Sequence, residues 1–171
     1  MLEKMVEEKV EMPEEVFFRY AYPCTEDLFI ANLVSENDYN KMNDYSKKRK
    51  TPKREELERV YKNAVRRINN VAQRLNKDAW DCEVIRYYFL NEHNKAIDEG
   101  EGDYKDTPHK LREMCKVRVG EVIDKYKKGD IVFYNVNYGD LSEEAIGIYY
   151  SDANVGDKIS THWRFAVEKL R

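Results

Sequence analysis

Cysteine, proline and glycine are all scarce: three Cys, four Pro and seven Gly in 171 residues. So little Pro and Gly argues against disordered, low-complexity and collagen-like chains. The three cysteines, Cys24, Cys82 and Cys115, are odd in number and far apart. A disulfide scaffold is therefore excluded, and they read as reduced thiols of a cytosol. Long apolar runs are also lacking. Nothing approaches the roughly 18 residues that cross a bilayer, and residues 1–15 are acidic, without the apolar stretch of a secretion leader. A cytoplasmic location and no membrane partner are the expectation.

Charge, by contrast, is abundant. Charged residues make up 37% of the chain and hydrophobic ones 42%, enough for a buried core. The net charge is only −3 because 30 basic and 33 acidic groups nearly cancel. They are zoned: residues 41–75 carry a net +8, residues 76–106 a net −5, and residues 107–171 only +1. Zoned charge of this kind reads first as helices whose solvated faces pair with one another, and second as a partner surface.

The first hundred residues have helical spacing. Pro13 suits a first helical turn and is followed by Glu14 and Glu15, which favour a helix N-terminus. Pro23 stops that helix, Thr25 restarts it, and Ser35 with Asp38 resembles the start of another. Thr51-Pro52 predicts the opening of a helix with an apolar stripe at Leu57, Tyr61, Ala64, Ile68, Val71 and Leu75. Asp78 is expected to cap a helix reaching about Ile97, apolar on several sides and hence central. After the polar stretch 99–106 the period shortens. A short helical entry over 108–113 is expected to give way to strands carrying Cys115, Val117 and Val119, then 131–138 and 146–150. Gly129-Asp130, Gly139-Asp140 and Gly156-Asp157 punctuate these runs. The expected fold class is α+β: a helical domain over 1–106 and a small OB-like β-barrel over 107–171, closed to remove its edges.

The last third also carries a family likeness. Met114-Cys115, Gly120-Glu121-Val122-Ile123, Val155-Gly156-Asp157, His162-Trp163-Arg164-Phe165-Ala166 and the ending Val167-Glu168-Lys169-Leu170 resemble the HypC/HupF hydrogenase maturation chaperones in order and approximate spacing. That family opens on Met-Cys and closes with Val-Gly-Asp and His-x-Gly-Phe-Ala. Here Cys115 is internal, Val119 stands where the family has Pro, and Arg164 where it has Gly. The resemblance implies a small barrel that accompanies an iron unit during hydrogenase assembly, bound to a HypD-like scaffold protein or to the precursor of the hydrogenase large subunit. It implies that Cys115 is the functional thiol and that His162 is its companion. No tightly bound cofactor is expected, only iron carried transiently.

Without the family, the residues leave alternatives open. Thiolate is a soft ligand for iron, zinc or copper(I), but Cys115 reads equally as a small core residue. On a strand, Lys116 and Arg118 point away from it, leaving Lys110 and Arg112 to lower its pKa. His162 beside Trp163 reads as a packed histidine, or as a partner of Cys115 if it faces it. Cys24, Cys82, His93 and His109 form no spaced metal motif. Cys82 and His93 read as packing. The basic block offers a second function: Lys48, Arg49, Lys50, Arg59, Lys62 and Arg66, beside an OB-like barrel, fit a nucleic-acid footprint. The competing reading is a solvated face paired with the acidic 76–106 block. No nucleophile–base–acid set is legible, so the expected role is non-catalytic: a maturation or scaffold protein acting by protein contact.

Overall fold

A computed structural model describes residues 10–171. The start of the acidic N-terminus, on which the leader expectation partly rests, lies outside the described residues. Helices α1 (Pro13–Ala21), α2 (Thr25–Ile30), α3 (Glu36–Lys47), α4 (Arg54–Val60), α5 (Lys62–Leu75), α6 (Cys82–Tyr87), α7 (His93–Asp98) and α8 (His109–Cys115) come first. Strands β1 (Val117–Lys128), β2 (Ile131–Asn137), β3 (Ser142–Ile146), β4 (Lys158–His162) and β5 (Phe165–Lys169) follow. The expected α+β class, helices then a closed barrel, is what the chain adopts.

Local chemistry sets several helix ends. Pro13 sits at the first position of α1, where its missing N–H is no loss. Ser35 caps α3 by accepting from the Asp38 N–H. Three expected boundaries move. Thr51-Pro52 does not open a helix; α4 begins at Arg54, and the Glu56 carboxylate instead takes the Lys53 N–H. The stripe 57–75 is interrupted at Tyr61, whose backbone leaves the helical region between α4 and α5. Asp81 rather than Asp78 caps α6, because the Asp78 side chain is turned to the Trp80 N–H.

The expected central helix is present, with one departure. Between α6 and α7, Tyr88–Glu92 form a π-helical segment. Such wide turns are frequent at functional sites and shift the register of the residues beyond them. His93 is the first residue beyond this one.

The barrel order is β1-β2-β3-β5-β4. The first half of β1 pairs with β4 and the second half with β2, with an irregularity between Val122 and Asp124 where the strand bends from one partner to the other. The barrel closes where Ile146 of β3 meets Phe165 of β5, in parallel. Its interior holds Val122, Val132, Tyr134, Val136, Ala145, Ile159 and Ala166. The run 146–150 is not a strand beyond Ile146: the Gly147 N–H still donates to the Val132 carbonyl at 2.7 Å, and the chain then leaves β2.

Gly120 marks the tightest point of β1. A Cβ there would stand 2.6 Å from the Asn137 carbonyl oxygen and 2.6 Å from Val136 Cγ1. Gly120→Ala is expected to cost about 2–3 kcal/mol through overpacking. Urea unfolding checks this; a loss below about 0.5 kcal/mol, the size of an ordinary surface change, contradicts it.

The helices bury a second core around Phe17, Tyr20, Leu57, Tyr61, Ile68, Val71, Ile85 and Phe89, and Val117 and Val167 of the barrel belong to it. Glu168 on β5 ties the two parts together. Its carboxylate accepts from the Tyr20 hydroxyl at 2.6 Å, from Arg86 Nε and Nη2 at 2.9 Å each, and from Arg19 at 3.1 Å. Among the described residues no helix is long and apolar enough to cross a membrane.

Candidate metal centre

Four residues from four separate elements converge at this junction. Cys24, His93, Cys115 and His162 each offer a ligand atom, and these atoms all lie within 4.8 Å of one another. Cys115, His93 and His162 are buried, while Cys24 is partly exposed.

Each is held by an identifiable local feature. Cys24 ends a 3₁₀ turn, Tyr22–Cys24, whose geometry Pro23 favours. Thr25 pins the turn by donating to the Tyr22 carbonyl at 2.6 Å and bonding the Tyr61 hydroxyl at 2.8 Å. Cys115 is the last residue of α8. This corrects the expectation of a strand-borne Cys115: the helix from His109 runs through it, and the chain becomes extended only at Lys116. His162 ends β4, before a two-residue turn of Trp163 and Arg164 with φ of 51° and 65°. Two positive-φ residues define the hairpin turn that usually takes Asn-Gly, and with large side chains each costs about 1–2 kcal/mol. The strain is carried where the turn fixes His162. His93 is delivered by the π segment.

Hydrogen bonds settle the histidine tautomers. His162 Nδ1 lies 2.6 Å from the Tyr20 carbonyl oxygen. A carbonyl only accepts, so Nδ1 carries the proton and Nε2 turns its lone pair to the cluster. Asn94 receives the Val117 N–H on Oδ1 at 2.9 Å and donates from Nδ2 to the Val117 carbonyl at 2.7 Å. That clamp fixes which amide atom is oxygen, so His93 Nδ1, 3.3 Å away, donates to it. Both imidazoles thus have one nitrogen oriented by an oxygen acceptor, the usual outer arrangement of metal-binding histidines.

The thiols complete the set. Cys24 Sγ lies 3.5 Å from Cys115 Sγ and 3.1 Å from His162 Nε2, and Cys115 Sγ lies 4.0 Å from that nitrogen. A tetrahedral ion bound at about 2.3 Å to sulfur and 2.0–2.1 Å to nitrogen has edges of roughly 3.3–3.8 Å. These three separations bracket that range and the remaining pairs lie within 4.8 Å, so the donor set has the chemistry of a tetrahedral S₂N₂ site that closes slightly on the ion. The Cys24 thiol donates to Cys115, pushing the Cys115 pKa strongly down and that of Cys24 up. Burial pushes His93 down, favouring the neutral form that binds metal. Burial also raises the nearby Asp27 carboxyl to about 6.

The site differs from the sequence expectations in several ways. Cys115 and His162 do approach each other. Lys110 and Arg112 are not what lowers the Cys115 pKa; the Arg112 guanidinium is taken by the Thr107 and Lys105 carbonyls. His93, read as packing, and Cys24, read as outside any motif, are both in the cluster. Their spacing carries no motif, because the fold rather than a local loop brings them together. The π turn leaves no recognisable signature. Cys82 stays apart, its thiol against the Glu11 carbonyl, and His109 is exposed beside Glu113. Of the basic residues, Lys48 pairs with Asp44, Arg59 with Asp38 and Arg66 with Glu101. Arg49 takes a positive φ just after α3, Lys50 lies in the connection to α4, and Lys62 opens α5. Only Arg66 of these six pairs into the acidic 76–106 block in the ion pairs seen.

No family model, curated protein or solved structure matches this chain. The geometry of the centre therefore carries the functional argument.

Asn94 offers a test of the outer arrangement. Asn94→Ala is expected to weaken metal binding about 10–100-fold, as losses of such partners do, with the helical content unchanged. Competition against a chromophoric chelator reads this; an unaltered affinity shows that the clamp does not orient His93.

Proposed function

We propose that this protein is a metal-handling module, acting by protein contact, that holds a transition-metal ion at Cys24, His93, Cys115 and His162. One observation carries the reading: four donors of the right chemistry, from four elements, with both histidines oriented from behind. Two thiolates and two imidazoles suit zinc or iron(II) rather than calcium or magnesium. Four protein ligands leave no open position, which favours holding an ion over Lewis-acid catalysis. The chain is accordingly read as a scaffold or carrier rather than an enzyme, working in a reducing cytosol that keeps both thiols free.

The narrower reading is hydrogenase assembly. The closeness of Cys115 to His162 supports it, since these are the two positions the HypC/HupF resemblance singles out. So does the φ of 65° at Arg164, a backbone state natural to the Gly that the family has there. Cys24 and His93 come from the helical part, outside that resemblance, and convert a two-residue site into a four-residue one. No observation favours the nucleic-acid reading over this.

Metal analysis of the protein purified without chelator, with and without added zinc or iron(II), tests the broader reading. About one ion per chain is expected, as for a tetrahedral site; a protein that stays metal-free in both conditions overturns it. Co-purification of a HypD-like protein or hydrogenase precursor, lost in Cys115→Ser, tests the narrower one.

A further inference from the structure

The two thiols are not equivalent in access. A cavity of about 280 Å³ reaches the cluster from one side. Cys24, His93, Leu28, Tyr88 and Tyr104 line it, whereas Cys115 and His162 do not. Within it the Tyr88 hydroxyl is buried beside Arg67 and, among the described residues, makes no hydrogen bond of good geometry. A small uncharged polar molecule entering here meets a hydrogen-bonding group beside Cys24. Directly behind Cys24, at 3.5 Å, sits the buried sulfur of Cys115. Forming an S–S bond of about 2.05 Å needs the two sulfurs to close by roughly 1.5 Å. Both residues lie at ends of short helices, Cys24 at the 3₁₀ turn before α2 and Cys115 at the close of α8, where helix ends yield more readily than interiors.

We propose that Cys24 is an oxidation site for small peroxides, with Cys115 as its resolving partner, and that the resulting disulfide expels the metal. The Cys24 sulfur attacks one oxygen of hydrogen peroxide while its thiol proton passes to the departing oxygen; the O–O bond breaks and water leaves, giving the sulfenic acid. The Cys115 thiolate then attacks the Cys24 sulfur, the S–O bond breaks, and hydroxide leaves as the S–S bond forms. The two sulfurs lose two electrons, the peroxide gains them, and one proton from solvent converts the hydroxide to the second water. The pairing of an accessible thiol with a resolving neighbour is the arrangement of thiol redox sensors. Two of the four ligands are thereby consumed, and two histidines alone do not hold a tetrahedral ion tightly. Metal release rests on the reading above; the disulfide does not.

The test uses the full chain, zinc-loaded, with hydrogen peroxide as the probe. Expected are zinc appearing in a chromophoric chelator in step with peroxide, a non-reduced digest that joins the Cys24 and Cys115 peptides, and reversal by dithiothreitol. Cys82, partly exposed and outside the cluster, is the internal reference. It is expected to oxidise at least about 10-fold more slowly, because its thiol lies against the Glu11 carbonyl, away from the cluster cavity and its sulfurs. Cys24→Ser is expected to keep Cys115 unoxidised. Oxidation at Cys82 with no Cys24–Cys115 linkage overturns the inference, as does retention of zinc once that linkage has formed. A protein that never binds zinc yet forms the linkage sinks the metal reading alone; one that binds zinc and forms no linkage sinks the redox site alone.

Discussion

Cys115→Ser is expected to empty the centre. Cys115 is the most buried of the three cysteine residues, and it contacts both Cys24 and His162. A hydroxyl replaces a soft anionic donor with a hard neutral one, so zinc affinity is expected to fall by at least about 10³-fold, a modest share of the roughly 10–16 kcal/mol of structural zinc sites. The metal content of the purified variant should drop from about one ion per chain to below a tenth. Because a bound ion stabilises only the folded chain, the variant should also lose the rise in unfolding temperature that zinc gives the parent; that rise corresponds to about 4 kcal/mol at a thousand-fold excess over Kd. Cys82→Ser is the matched control and should change neither quantity. Equal zinc binding by Cys115→Ser and the parent would show that the cluster is not a metal site.

The second large effect lies at the junction that brings the four ligands together. Glu168 is buried and accepts from Tyr20, Arg86 and Arg19. Glu168→Gln keeps the shape but removes the charge, leaving two guanidinium groups facing a neutral amide. Arg19 and Arg86 retain partial solvent contact, which places the expected loss at the low end of the range for a broken buried pair, about 3 kcal/mol. With a urea slope near 2 kcal/mol per molar, the midpoint should fall by roughly 1.5 M. A fall below about 0.3 M would mean that solvent already screens this network. Tyr20 links the two predictions, since its hydroxyl donates to Glu168 while its carbonyl orients His162. A weakened junction should therefore also loosen the metal.

Much of the architecture was legible because it rests on local signals. Pro13, Pro23 and Ser35 mark ends that the backbone respects. The alternation from Val117 onward, with Gly129 and Gly156 in the turns, announces a small barrel. What escaped were events in which one local signal outcompeted another. Thr51-Pro52 has good capping chemistry, yet Glu56 reaches back to Lys53 and starts the helix there. Cys115 fits a strand alternation, yet α8 continues through it. The candidate site was half legible. Cys115 and His162 stood out through their neighbours in sequence. Cys24 and His93 did not, because their roles depend on a π segment and on the Tyr22–Cys24 turn and α7 meeting His162 at the barrel's end. Spacing rules detect ligands supplied by one loop, whereas here four elements each supply one.

X-ray absorption at the metal edge of the loaded protein tests the central claim most directly. The account predicts a first shell of two sulfurs at about 2.3 Å and two imidazole nitrogens at about 2.0–2.1 Å, falling to one sulfur in any variant that retains metal after loss of either Cys24 or Cys115. A shell of oxygen and nitrogen alone would contradict it.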